Sequence, residues 1–246
     1  SETEDAVVSA LDAGYRHIDT AAIYRNEESV GAGVARSPID RSDVFVTTKL
    51  WNSEQGYDSA LAAIDTSLDL LGMDYVDLYL VHWPKPQHTK DTWRAMEAIQ
   101  ASGKARAIGV SNFLPEHLDQ LLEHANVAPA INQIEFHPHL QSPELVTYCQ
   151  DHGIVVEAWS PLKAGAIIAD PDLGAIAQHH GVSPAQVTLR WMLQKGIVVI
   201  PKSVTPSRII ENADLYGFDL SNTEVAEIDA MDLNDRVGPD PANFDF

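Results

Sequence analysis

Val76-Asp77-Leu78-Tyr79-Leu80-Val81-His82-Trp83-Pro84 is a nearly unbroken apolar run that ends on an imidazole, an indole and a proline. A strand with apolar residues on both faces is covered on both faces, the habit of parallel sheets. Working outward, the same unit recurs: a short β-branched run, a break rich in Gly, Pro, Asn or Asp, then apolar residues at helical spacing. Strands are expected at residues 17–19, 44–50, 76–83, 105–111, 131–136, 154–159 and 197–201. Between them Leu61, Ile64, Leu68 and Leu71 mark one helix, with Gly72 as its stop, and Trp93, Met96 and Ile99 mark another before Gly103. Ser183-Pro184-Ala185-Gln186 reads as an N-cap, a first-turn proline and a capping box. Thr205-Pro206 opens a helix carrying Ile209, Ile210 and Ala213; Ser221-x-x-Glu224 opens a last one with Val225, Ile228 and Met231.

Repeated strand–helix units admit a doubly wound sheet or a closed α/β barrel. No Gly-x-Gly-x-x-Gly follows the early strands, which argues against the first. Polar residues also stand at the C-terminal end of every strand: Asp19, Lys49, His82, Ser111-Asn112, Gln133, Ser160 and Lys202. A doubly wound sheet concentrates its site at one switch point, whereas a (β/α)8 TIM barrel spreads it over all strand ends. The expectation is a barrel occupying residues 1–246 as one domain. Residues 5–12 read as a helix where a first strand should come earlier, so a preceding hairpin and first barrel strand are expected to be missing from this sequence.

The 246 residues carry 16 basic and 36 acidic side chains, a net charge of −20. Phosphate backbones need a basic face, so nucleic acid is excluded as an expected partner, and so is an anionic membrane surface. The single cysteine, Cys149, leaves no disulfide framework and no Cys-rich zinc module. No apolar run reaches the ~18 residues of a membrane span, and the acidic start Ser1-Glu2-Thr3-Glu4-Asp5 is unlike a signal or transit peptide. A cytoplasmic protein is expected. The scarcity of lysine and the excess of aspartate would suit high salt.

Asp19, Tyr24, Lys49 and His82 bring a carboxylate, a phenol, an ammonium and an imidazole to consecutive strand ends. That set suits donation of a proton to a carbonyl oxygen as it becomes an alkoxide. A free tyrosine has a pKa near ~10. A neighbouring ammonium lowers it, while burial acts in the opposite sense. Asp19 would fix Lys49, and His82 would orient the carbonyl by hydrogen bonding. A metal-dependent hydrolase is the rival reading, with His17-x-Asp19 and Glu135-x-His137-x-His139 as ligand clusters. In the second, however, Pro138 breaks the run, and no metal site is expected. A short-chain dehydrogenase would need Tyr-x-x-x-Lys, which no tyrosine here satisfies.

Residues 14–21 (Gly-Tyr-Arg-His-Ile-Asp-Thr-Ala) with Tyr24, Lys49-Leu50-Trp51, Val81-His82-Trp83-Pro84, Gly109-Val110-Ser111-Asn112-Phe113, Asn132-Gln133-Ile134-Glu135 with His137-Pro138, Trp159-Ser160-Pro161-Leu162 and Ile200-Pro201-Lys202-Ser203-Val204 together resemble the aldo-keto reductases. The likeness runs from about residue 6 to the C-terminus. It is nearest to the prokaryotic branch with the 2,5-diketo-D-gluconate reductases, and the tail Gly238-Pro239-Asp240-Pro241 with Phe244 is similar to bacterial members.

The resemblance implies NADPH/NADP+ as cofactor and a small-molecule carbonyl as substrate, reduced to an alcohol with Tyr24 as general acid. It implies that Ser111, Asn112 and Gln133 hold the nicotinamide carboxamide and that Trp159 stacks on the ring. Ser160 and Leu162 would meet the pyrophosphate. Lys202, Ser203, Val204, Thr205, Arg208 and Asn212 would form the adenosine 2′-phosphate site. Physics supports the last assignment, because a helix N-terminus flanked by cations binds phosphate and Arg can grip it with two parallel bonds. Trp51 and Trp83 are expected to wall the substrate pocket, joined by Phe113 and the tail after Met231. Residues 84–91 look shorter than the family's loop. A monomer is expected. A non-catalytic, cofactor-binding member of the family is a further alternative, opposed by the intact set of four.

Overall fold

The computed structural model describes residues 1–243; Phe244 lies outside the described residues. The described chain falls into two compact units, residues 1–132 and 133–243. All seven expected strands form, most of them a residue or two shorter than the sequence suggests, and strands and helices alternate as anticipated.

The first unit runs α1 (Glu2–Asp12), β1 (His17–Asp19), α2 (Glu27–Arg36), β2 (Phe45–Leu50), α3 (Tyr57–Leu71), β3 (Val76–Val81), α4 (Thr89–Ala101), β4 (Ala105–Ser111) and α5 (Pro115–Leu122). Strands β1 to β4 pair in parallel in chain order. Asp19 lies opposite Thr47, Lys49 opposite Leu80, and Leu80 opposite Gly109, so the C-terminal ends form one edge. The interior is built from Val46, Leu50, Leu78, Leu80, Ile108 and Val110, all buried. The opposite edge is closed by ions: Asp77 accepts from the Val46 amide and pairs with Arg41 and Arg106 at 2.8 and 3.0 Å.

Gly72 does stop α3, at φ 64° with its N–H turned back to the Asp69 and Leu68 carbonyls. Helix α2 was not signalled by apolar periodicity, and packing explains why. A Cβ on Gly31 would stand 2.0 Å from the Leu71 carbonyl oxygen, and one on Gly33 would stand 2.7 Å from Cβ of Val7. Glycine sits where a helix normally shows its apolar stripe, because α2 approaches its neighbours too closely for a side chain.

Strand β5 (Ile131–Glu135) carries the chain onward. At its start the Ala130 amide donates to the Ile108 carbonyl at 2.9 Å. In the second unit follow α6 (Pro143–Asp151), β6 (Val155–Trp159), α7 (Pro171–His180), α8 (Pro184–Gln194), β7 (Val198–Val199), α9 (Pro206–Ala213) and α10 (Asn222–Asp229). Strand β7 is two residues rather than five. Only Val198 and Val199 pair in parallel with Glu157 and Ala158, and Pro201 has no N–H to extend the ladder. Both expected capping boxes form, Ser183 with Gln186 and Ser221 with Glu224. Phe136 stacks on Trp191 at 5.3 Å, and the indole N–H of Trp191 donates to Asp229. Among the described residues, no helix is long and apolar enough to cross a membrane.

Candidate active site

In the first unit the four residues expected to handle a proton meet at the C-terminal edge of β1–β3. Lys49 projects from β2 and is completely buried. Its amine binds the Asp19 carboxylate at 2.5 Å and the Thr20 carbonyl at 2.9 Å. Tyr24 is not on a strand. It closes a 3-10 turn, Ala22–Tyr24, held by a hydrogen bond from Thr20 to Asn26 and ended by Arg25 at φ 54°. That turn brings its ring centroid to 5.3 Å from the Lys49 nitrogen. His82, just beyond β3, packs edge-on against Tyr24 at 5.8 Å and against Trp51 at 5.2 Å.

Electrostatics divide the labour. The surroundings of Tyr24 desolvate its hydroxyl and push the phenol pKa above the ordinary value. Lys49 pulls it down by charge and hydrogen bond, and Asp19 pushes it up. Burial is the larger effect and outweighs the ammonium, while Asp19, in contact with the amine, offsets part of its field at the phenol. Tyr24 therefore stays protonated at neutral pH. His82 is held to a pKa of about 3 by burial and then by the charge of Lys49, so it is neutral. Its Nδ1 is buried without a partner. A proton there would be an orphaned donor, so the Nε2–H tautomer is the favoured one and Nε2 can donate outward.

Asn112 holds a left-handed backbone, φ 63°, at the end of β4, a conformation asparagine tolerates. Its Nδ2 bonds the His82 carbonyl and the Ser111 hydroxyl, so the proposed carboxamide grip and the imidazole share one frame. Asn132, quoted in the family motif but given no role from sequence, clamps Phe113 from both sides, accepting its amide and donating to its carbonyl. Phe113 and Trp83 are buried at 2% and 6% exposure, and the Trp83 carbonyl is capped by Gln55. Of the expected pocket aromatics in this unit, Trp51 keeps open surface beside His82.

The second unit holds the remaining cofactor candidates. Gln133 lies inside β5, not at its end, and donates to Glu157 of β6. Trp159 ends β6, and Ser160 follows at φ 50°. A Cβ on Gly238 would stand 2.3 Å from Cη2 of Trp159, so the tail after Met231 rests its backbone directly on that indole. The tail is pinned there by the Glu135 carboxylate, which accepts the Val237 and Gly238 amides, and by Lys163, which binds Asp235. Burial pushes Glu135 up, yet those bonds and His137 hold its pKa below the ordinary carboxylate range. Three residues of the rival metal reading lie in this unit. Glu135 bonds His137 at 2.9 Å while His139 bonds Lys163 and faces Asp170. In the first unit His17 bonds Thr47.

Helix α9 opens without a side-chain cap from Thr205, so its first-turn amides keep their capacity for an outside acceptor. Lys202, Val204, Thr205 and Arg208 are exposed, Ser203 is half-buried and Asn212 is buried. Among the described residues neither Lys202 nor Arg208 has an ion pair.

Parallel strands with chemistry gathered at their C-terminal edge, and a proton-handling set of Tyr, Lys, Asp and His on that edge, define an α/β enzyme. The aldo/keto reductase family profile matches residues 1–233. Glyoxal reductase of Bacillus subtilis is 52% identical over 246 residues, covering 100% of this chain and 89% of that protein. An aldo-keto reductase, MGS-M4, from a Medee basin deep-sea metagenome superposes with TM-score 0.98 at 42% identity, covering 100% and 92% of the two chains. A variant of Gox0644 in complex with NADPH superposes with TM-score 0.94 at 44% identity, covering 100% and 90%. The chain belongs to the aldo/keto reductase family.

Proposed function

We propose that this chain is an NADPH-dependent reductase of aldehyde and ketone carbonyls, with Tyr24 as the general acid. The carrying observation is the Lys49 amine, buried, held by Asp19 and Thr20, and 5.3 Å from the centre of the Tyr24 ring. NADPH, when bound, supplies the hydride to the carbonyl carbon. The chain's own residues do the rest. The carbonyl oxygen accepts hydrogen bonds from the Tyr24 hydroxyl and from Nε2–H of His82, which orient it. As negative charge grows on that oxygen, Tyr24 gives up its proton to an alkoxide far more basic than phenolate. Lys49 stabilises the phenolate left behind. Asp19 keeps Lys49 charged and in place.

The residues present fit the dinucleotide. Uncapped amides at the start of α9 together with the exposed Lys202 and Arg208 suit a 2′-phosphate, Ser203, Val204, Thr205 and Asn212 flanking it. Trp159 offers an indole face for the nicotinamide; Ser111, Asn112 and Gln133 serve its carboxamide, and Ser160 and Leu162 the pyrophosphate. The relatives support a glyoxal-like dicarbonyl as a first substrate to try. We read the strands as belonging to a (β/α)8 barrel, residues 1–246 acting as one catalytic domain in a cytoplasmic monomer, with no nucleic-acid or membrane partner. The test is a panel of aldehydes, ketones and dicarbonyls assayed by loss of the reduced nicotinamide's near-ultraviolet absorbance. Turnover with at least one class supports the reading. NADPH binding with no turnover across the panel overturns it in favour of a cofactor-binding, non-catalytic member.

A further inference from the structure

Among the described residues outside the catalytic machinery, one cluster of ligating side chains converges without a catalytic task. His179 and His180 are consecutive on the last turn of α7, and Glu224 sits in the first turn of α10. Neighbouring residues on a helix point about 100° apart, so they rarely share a target. Here they do, because His179 reaches with its near nitrogen and His180 with its far one. Nδ1 of His179 is 3.0 Å, and Nε2 of His180 2.8 Å, from the same oxygen, Oε1 of Glu224. All three ligand atoms lie within 4.8 Å of one another.

We propose that His179, His180 and Glu224 bind a divalent transition cation of the zinc type, clamping the end of α7 to the start of α10. A four-coordinate zinc with bonds of ~2.0 Å sets its ligands roughly 3.3 Å apart. The two nitrogen–oxygen separations are therefore within about half an ångström of what the ion needs, and the two nitrogens, no more than 4.8 Å apart, close onto it by a turn of the exposed His179 ring. Two imidazoles and a carboxylate select zinc, nickel, cobalt or copper over the all-oxygen ions calcium and magnesium. The carboxylate is also pre-aimed. Its other oxygen, Oε2, accepts the Ser221 amide and hydroxyl, both at 2.8 Å, the kind of outer bond that orients a ligating group. His180 is mostly buried and leans on Phe218, whereas His179 is exposed, so solvent supplies an entry path and the fourth ligand. A chain of net charge −20 draws cations to its surface. The ligands lie 44 residues apart in sequence and make no motif, which is why sequence alone gave no metal site.

The experiment is a calorimetric titration of the untagged full chain with zinc alone, repeated with Co2+ to read the visible absorption of tetrahedral cobalt. The variants are His179→Ala and Glu224→Gln, the second keeping a capping box that glutamine also satisfies. One equivalent of Zn2+ should bind and raise the melting temperature in proportion to the logarithm of free zinc. Each variant should weaken binding by about tenfold or more and abolish the cobalt band, with carbonyl reductase activity unchanged. Equal zinc affinity in wild type and both variants overturns the proposal by placing the ion elsewhere. Absence of a saturable equivalent in the wild type overturns it as well.

Discussion

The edge of β1–β3 and the start of α9 both carry positive charge, and they treat it in opposite ways. Lys49 is completely buried, fixed by a carboxylate and a carbonyl. Lys202 and Arg208 are exposed and, among the described residues, have no ion pair. The difference follows from what each must do. A cation that tunes a neighbour's proton must sit in low dielectric at a fixed distance, and burial is tolerable only if it is paired. A cation that grips a phosphate must keep its hydrogen bonds for the ligand, so an internal partner would compete.

Replacing Tyr24 with phenylalanine should break the comparison most visibly. Turnover should fall by about a thousandfold or more, the upper part of what a general acid contributes, while NADPH binding followed by protein fluorescence stays within a factor of two or three. Wild-type turnover in the variant would remove the phenol from the chemistry. On the exposed side, Arg208→Ala should weaken NADPH by about tenfold or more and leave NADH nearly untouched, measured as dissociation constants at fixed ionic strength. Equal losses for both cofactors would place the 2′-phosphate elsewhere.

The smallest effect sharpens the contrast through pH. His82 has a folded-state pKa of about 3 against roughly 6.5 when unfolded. Below pH 6.5 the unfolded chain takes up a proton that the folded chain refuses, so stability is complete above that value and lost as pH falls towards 3. Between pH 7 and 5 the loss from this residue is about 2 kcal/mol. Urea unfolding of wild type and His82→Gln at the two pH values should differ in pH dependence by that amount. An identical pH dependence would mean His82 is solvated after all. The exposed cations of α9 should contribute no comparable acid sensitivity.

Much of this was legible before the fold was known, and the exceptions share a cause. Lys49 and His82 could be placed because each ends an apolar run, and a strand end in a parallel α/β unit has a defined direction. Gly72, Ser183 and Ser221 could be read because caps are local chemistry. Helix α2 could not, since its inward positions are glycines dictated by distant backbone. Trp83 and Phe113 were expected in a pocket and are buried, which sequence could not foresee, because the side of a turn on which an aromatic ring lands depends on what lies across from it. The clamp of Asn132 on Phe113 and the Gly238–Trp159 contact could not be read for the same reason, although both residues lie in the motifs that carry the family resemblance.

Sequence by itself determined the alternation of strand and helix, the helix ends, the excess of negative charge and the set of reactive groups, because these rest on periodicity, local hydrogen bonding and composition. Tertiary structure alone decided that the phenol of Tyr24 meets the amine of Lys49 across a turn, that Asp19 blunts that amine's pull on the phenol, and that two adjacent histidines share one carboxylate 44 residues away. Those outcomes depend on distances between segments remote in the chain, and charge interactions and burial act through space rather than along the backbone.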